Sequence, residues 1–191
     1  MLACGVLFTV LALTLHKSQE VTPPVVQETE EKKTEIISFS QEPVRIDKSF
    51  TSSKKKSKEQ KDPPLRITVP DVAIDLPVKE ATIVKGYWEV FPDKAGFGTG
   101  SAYPGEKGNL VIFAHAKEGL FGPLKNVKSG QNVYVFTINN WYQYKIDSIR
   151  EVYPSQTEVI GPTEEEVLTL YTCSGFADNK RLIVTAKLAS Q

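Results

Sequence analysis

Leu168-Thr169-Leu170-Tyr171-Thr172-Cys173-Ser174-Gly175 and, shortly after it, Arg181-Leu182-Ile183-Val184-Thr185-Ala186 decide how this chain is read. Both runs are rich in β-branched and large apolar residues, and a Ser-Gly turn signal opens the gap between them. The pair is therefore predicted to form two strands joined by a short loop. Cys173 then ends one strand, and Arg181, eight positions on, starts the next. A thiol and a guanidinium at one sheet edge make a nucleophile with a charge-stabilising neighbour. Taken alone, the pattern also fits a small buried hydrophobe beside an ordinary strand-end cation, because most cysteines are inert and buried. The rest of the chain has to decide between them.

A length of 191 residues suits one domain plus an appendage. Apolar residues make up 40% and charged residues 24%, a globular balance, and a formal net charge of zero gives no reason to invoke nucleic acid. Cys4 lies in an apolar N-terminal run, far in character from Cys173, which argues against a disulfide framework and for a free thiol at Cys173. The histidines, His16 and His115, form no Cys/His cluster with zinc spacing, so no metal site is expected.

Met1 to Leu15 carries no charge. As a helix it spans about 22 Å, short of the roughly 30 Å hydrocarbon core, and it lacks the basic start of a cleaved signal peptide. Residues 1–16 are read as a hydrophobic membrane anchor, open to truncation at its start. Residues 17–64 change character, with Thr22-Pro23-Pro24, Glu28-Thr29-Glu30-Glu31-Lys32-Lys33, a basic run at Lys54–Lys58 and Asp62-Pro63-Pro64. Such mixed-charge composition buries too little apolar surface to offset its ordering entropy, so a disordered, flexible extracytoplasmic linker is expected. Within it, Ile36-Ile37 and Val44 with Ile46 stand out as a candidate docked element.

Residues 65–191 read as the folded domain. Leu65, Ile67 and Val69 alternate with polar residues up to Pro70, and Val72, Ile74, Leu76 and Val78 alternate again. Tyr87–Phe91, Asn109–Ala114, Asn132–Ile138, Trp141–Val152, Leu168–Cys173 and Arg181–Leu188 bring the count to about eight strands, with a hairpin signal at Asn139-Asn140. Closing them into a barrel or sandwich removes exposed edges. Helix is expected only as short turns at Phe121–Val127 and at Thr163–Glu166, the latter capped by Thr163. His115 ends an apolar strand just as Cys173 does, 58 positions earlier. One Cys, one His and one Arg thus stand at strand termini, where a rigid scaffold exposes side chains.

These residues resemble a family. TLYTC with Arg181 eight residues later, the ITVPDVAIDLPV opening, the PGEKGN turn before the histidine strand, His115 followed by FGPLKNVKSGQNVYV, and YPSQTEVIGPT before TLYTC are similar to the sortases, cysteine transpeptidases of bacterial surfaces. The resemblance covers nearly all of residues 65–188. It implies an all-β fold, the closed eight-stranded sortase β-barrel with one or two short helices, preceded by the anchor and linker. It implies Cys173 as nucleophile, His115 as acid/base partner and Arg181 as the oxyanion- or substrate-orienting cation, with Thr172, Ala114 and Ser174 on the substrate-binding side, although Thr172 fits inward packing at least as well as substrate contact. Ala114 departs from the family's frequent Gly before the histidine. The class implied leans towards a small housekeeping or class D/E type.

The implied reaction transfers a Leu-Pro-any-Thr-Gly-like sorting signal through a Cys173 thioacyl intermediate. Its partners would be surface proteins carrying that signal and an amine acceptor, either a cell-wall precursor or a pilin lysine. No cofactor is implied. Calcium near Glu164, Glu165 and Glu166 is weighed against a solvated acidic turn, which is the default, since three consecutive glutamates do not supply six to eight oxygens in three dimensions. The location implied is the cell membrane, by a single-pass N-terminal anchor, with the catalytic domain outside. A papain-like peptidase would show its own local signature around the Cys, and an L,D-transpeptidase a nearby histidine cluster; neither is present. The non-enzymatic alternative is a surface β-barrel binding module with an inert buried cysteine.

Overall fold

β10 (Glu166–Ser174) lies between two neighbours, and that placement organises the barrel. On one side it pairs antiparallel with β11 (Lys180–Leu188), Cys173 opposite Arg181. On the other it pairs parallel with β7 (Gly108–Phe113), Tyr171 opposite Phe113. A strand flanked on both sides and covered on both faces reads as a continuous apolar run, as β7 and β10 do.

The computed structural model describes residues 44–45 and 62–189, all within one compact unit spanning Ile36–Gln191. Around the ring follow β9 (Trp141–Val152), β8 (Asn132–Phe136), β2 (Arg66–Val69), β3 (Ile74–Ala81) and β6 (Ala95–Gly98), which returns to β7. The barrel has eight strands and is closed, so no edge is left to template aggregation. β1 (Val44–Arg45), β5 (Tyr87–Trp88) and β4 (Ile83–Val84) form a separate small sheet. Val44 thus pairs by its backbone with Trp88, inside the stretch expected to be linker. The anchor stretch, residues 1–16, lies outside the described residues. Among the described residues no helix is long and apolar enough to cross a membrane.

Eight strands were expected, but not this set. Tyr87–Phe91 is not a barrel strand; only Tyr87–Trp88 pairs, in the small sheet. The missing stave is β6, Ala-Gly-Phe-Gly, whose glycines argue against a strand by propensity. The structure gives the reason for them. A Cβ on Gly96 would lie 2.7 Å from the Phe113 ring, and one on Gly98 2.5 Å from the Trp88 ring. The two rings stack at 5.5 Å over this bare surface, and Trp88 donates its indole N–H to the Thr99 carbonyl at 3.0 Å. Of the expected helical turns, Gly122–Asn126 is a 3-10 turn. Thr163–Glu166 is not helical. The Thr163 hydroxyl donates to the Glu165 carbonyl instead of capping amides, and Glu166 already pairs with Gly108 as the start of β10. The 3-10 turn of that loop lies earlier, at Thr157–Ile160.

Two apolar cores result. Ile67, Phe97, Leu110, Ile112, Leu168 and Val184 fill the barrel interior. Trp88, Val111, Phe113, Ile160, Tyr171 and Ile183 form a second cluster on the outer face, and Cys173 belongs to it. The Thr157–Ile160 turn contributes Val159 and Ile160 as its cover. Its loop is fixed from below by Asn109, whose amide donates to the Gly161 carbonyl at 2.9 Å.

Candidate active site

The parallel register of β7 and β10, continued past the end of β7, puts His115 level with Cys173. Phe113 is opposite Tyr171. One step on, the Ala114 N–H donates to the Tyr171 carbonyl at 3.3 Å, and the Thr172 hydroxyl donates to the Ala114 carbonyl at 2.7 Å. The pairing thus runs past the end of β7, and the next residues in step are His115 and Cys173. Alternation puts Phe113 with His115, and Tyr171 with Cys173, on the outer face. From the other side, β11 sets Arg181 directly across from Cys173. Residues far apart in sequence are therefore aligned at one end of the barrel, Cys173 and Arg181 on adjacent strands and His115 two residues past the end of β7.

Arg181 is 4% exposed and tightly held. Its Nε donates to the Tyr171 hydroxyl at 3.1 Å, and its Nη1 to the carbonyls of Asp178 and Lys180 at 2.8 and 2.9 Å. Burial pushes the Tyr171 hydroxyl above its ordinary pKa, opposed by Arg181, while the Cys173 sulfur pushes the same way as burial. His115 is held below its ordinary value of 6.5 by burial first and by the Lys117 ammonium second; the Asp178 carboxylate pulls the other way. The histidine loop is closed by Phe121 donating to the His115 carbonyl at 3.0 Å and Gly122 donating to that of Lys117 at 3.0 Å. A Cβ on Gly122 would meet the Lys117 carbonyl at 2.7 Å, so the turn needs glycine there.

Cys173 is expected from sequence as an exposed thiol. The structure gives it 4% exposure, because the outer cluster packs against it. It nonetheless lines a cleft of about 580 Å³ together with Phe121, Glu151, Thr172, Ser174 and Asp178. The loop from β10 to β11 forms one wall and turns sharply. Gly175, Ala177 and Asp178 all take positive φ, at 77°, 50° and 59°, of which only the first suits its residue at no cost. The Arg181 bond to the Asp178 carbonyl holds this conformation.

A family model for the sortase domain matches residues 67–189. This chain belongs to the sortase family. It is 30% identical over 129 residues to Sortase A of Bacillus anthracis, covering 63% of this chain and 57% of that protein. It is 33% identical over 134 residues to Sortase A of Streptococcus agalactiae, covering 64% and 51%. The match thus spans about half the length of these curated relatives. Among solved structures, a Clostridium perfringens Sortase D5 transpeptidase superposes with a TM-score of 0.59 at 25% identity, covering 68% of this chain and 80% of that one. A lid mutant of Corynebacterium diphtheriae Sortase A gives 0.60 at 26%, covering 70% and 74%. Family and barrel therefore agree with the resemblance.

The remaining predicted residues of this sortase take distinct places. Ala114 points into the barrel core and offers only its backbone, which Tyr171 and Thr172 use. Thr172 lines the cleft, but its hydroxyl is committed to Ala114. Ser174 lines the cleft with its Oγ buried and making no hydrogen bond of full geometry. The neighbouring Glu151 carboxyl is held below its ordinary value first by Lys180, whose Nζ is at 3.2 Å, and then by Ser174. Glu165 is paired with Lys187 at 2.9 Å, and among the described residues no three His, Cys, Asp or Glu side chains converge as metal ligands. Sequence does not single out two residues: Tyr171, which anchors Arg181, and Asp178, whose carboxylate charge acts on the His115 imidazole. Tyr171 was readable in principle, since a residue two before Cys173 on a strand shares its face.

Proposed function

We propose that this protein is a cysteine transpeptidase that cleaves a Leu-Pro-any-Thr-Gly-like sorting signal and joins it to an amine. The observation that supports the reading is the β7–β10–β11 register: Arg181 lies across from Cys173 on β11, and the β7 pairing, continued two residues past Phe113–Tyr171, leads to His115 on the other side. Burial and Lys117 favour the neutral imidazole, so His115 serves first as base. It takes the Cys173 proton as sulfur attacks the signal's Thr carbonyl. The Thr–Gly C–N bond breaks, a thioester forms, and His115 returns the proton to the leaving amine. An acceptor amine then attacks the thioester, passes its proton through His115 and releases the thiol. Arg181 supplies a fixed positive charge to the oxyanion or the signal's backbone. Its three hydrogen bonds pre-organise it, so little reorganisation is needed as charge develops. Thr172 and Ser174 line the path of the signal, with Ala114 acting through Thr172.

In this reading residues 1–16 anchor the chain in the cell membrane, 17–64 tether it, and 65–191 work outside. The partners are surface proteins bearing the signal and a cell-wall precursor or pilin lysine, with no cofactor. One observation favours the competing reading, a non-catalytic surface module: the deep burial of Cys173.

Intact-mass spectrometry of the chain incubated with a Leu-Pro-Glu-Thr-Gly peptide and no added amine tests the choice. An adduct equal to the peptide without its glycine end, absent from Cys173→Ala, supports the thioacyl step. If no adduct forms with this or related motifs, and Cys173 also resists a mild thiol reagent at neutral pH, the binding module is left standing.

A further inference from the structure

Asn109 and Thr169 are buried polar side chains that the chemistry above does not use. Asn109 stands near the start of β7 and is 3% exposed; Thr169 stands within β10 and is 1% exposed. Both sit in runs of large apolar residues. A polar group taken into such surroundings costs free energy unless it is hydrogen-bonded. Both are bonded, and to each other. The Thr169 hydroxyl donates to Asn109 Oδ1 at 2.7 Å. Asn109 Nδ2 donates to the carbonyls of Gly161 and Val159, at 2.9 and 3.4 Å. The partners dictate this order. The turn presents carbonyl oxygens, which only accept, so the amide nitrogen faces the turn and the amide oxygen is left for the hydroxyl.

Alternation places this pair on the same face as the thiol. Asn109, Val111 and Phe113 share one face of β7, and Thr169, Tyr171 and Cys173 share one face of β10. Four of these six, Val111, Phe113, Tyr171 and Cys173, belong to the outer cluster. The Thr157–Ile160 turn covers that cluster with Val159 and Ile160, and Cys173 is left 4% exposed. Apolar packing is non-directional and does not by itself fix where the turn sits. The Asn109 bonds are directional, and they grip the turn by its backbone at Val159 and just past its end at Gly161. Thr169 is four residues before Cys173 on the same strand, so the grip acts roughly 13 Å from the sulfur.

We propose that the Thr169–Asn109 pair is a latch that holds the Thr157–Ile160 turn in place and thereby controls access to Cys173. The identity of the acyl donor that the latch admits rests on the transpeptidase reading. Neither side chain touches the reacting atoms; both are positioning residues. A turn held at one height keeps the thiol closed to small solutes and gives the donor a fixed wall to bind against. A released turn does the reverse. Small reagents reach the sulfur more easily, while the donor loses a preformed surface and has to order the turn as it binds.

The test is made on the full chain. Alkylation of Cys173 by iodoacetamide is timed by peptide mass, which keeps Cys4 apart from it, and thioacylation is titrated with a Leu-Pro-Glu-Thr-Gly peptide. Thr169→Val keeps the side-chain shape and removes the hydroxyl. It should speed alkylation about tenfold, the worth of one buried hydrogen bond in a local opening equilibrium, and raise the half-saturating peptide concentration with little change in the maximal rate. Thr169→Ser loses a methyl group and keeps the hydroxyl. It should melt lower than wild type yet alkylate and saturate as wild type does. Asn109→Asp keeps the acceptor for Thr169 but aims a carboxylate at two carbonyls, and should exceed Thr169→Val in both readouts; should it fail to fold, the two Thr169 variants decide. Wild-type alkylation and half-saturation in Thr169→Val overturn the latch. Equal shifts in Thr169→Val and Thr169→Ser overturn it too, since packing alone would then be at work. Faster alkylation of Thr169→Val with no peptide adduct from any variant, wild type included, supports the latch and removes the transpeptidase reading.

Discussion

Ile112 and Phe113 are neighbours on β7, yet they belong to different cores. Ile112 points into the barrel, among residues from every side of the ring. Phe113 points outward, into the cluster that includes Tyr171 and Cys173. The interior core closes the barrel, while the outer core sets the position of the two strand ends that carry His115 and Cys173. Stability and site geometry are thus assigned to opposite faces of one strand, and substitution can separate them.

The largest effects should come from cutting each face in turn. Ile112→Ala should cost about 2–5 kcal/mol and Phe113→Ala about 3–5 kcal/mol of unfolding free energy by urea titration, since each leaves a cavity in a packed cluster. Their consequences for thioacyl formation should differ. Per folded molecule, Ile112→Ala should react nearly as wild type, whereas Phe113→Ala should lose activity because the ring wedged between Gly96 and Trp88 no longer fixes the end of β7. Equal activity losses would dissolve the distinction between the two cores.

Arg181→Lys probes the outer face more finely. Lysine keeps the charge but cannot hold the fork that reaches Tyr171 and Asp178. Thioacylation should fall about 10²-fold or more, in line with losing one pre-organised donor at an oxyanion. Tyr171→Phe is the milder version. It removes one acceptor from a buried guanidinium, so about 1–3 kcal/mol of stability should go, with a smaller drop in rate. If Tyr171→Phe matched Arg181→Lys in rate, the cation's placement rather than its charge would be the dominant factor.

How much of this was legible depends on periodicity. β10, β11 and the long β9 declare themselves because alternating or continuous apolar runs leave no other assignment. β6 does not, because its two glycines exist to make room for Phe113 and Trp88, contacts that only the closed barrel creates. Tyr87–Phe91 misled for the complementary reason: its aromatics look like a strand but serve as a lid on the outer cluster, which holds Trp88 and Phe91. At the site, Cys173, His115 and Arg181 could be singled out by residue type at strand ends. Their union could not, since it depends on the parallel β7–β10 register. Asp178 was hidden in a loop whose positive φ values no pattern announces.

The smallest expected effect lies in the pH dependence of the two faces. His115 has its folded-state pKa depressed below 6.5, chiefly by burial. Above the unfolded value both states hold a neutral imidazole, and the full stability is present. As pH falls through 6.5 towards the folded value, the unfolded chain takes up the proton first, and stability is lost. A thermal melt series from pH 8 to 5 should therefore show Tm falling on the acid side, and His115→Gln should flatten that part of the slope. Lys117→Met removes a neighbouring cation and should shrink the depression, moving the acid limb of thioacylation to higher pH. Asp178→Asn removes the opposing carboxylate and should move it lower. Because Asp178 also offers its carbonyl to Arg181, which the asparagine retains, a shift in the profile without a fall in its maximum would show the carboxylate acting on His115 alone. Should both variants shift the limb the same way, the pair would be acting through the loop's structure and not through charge.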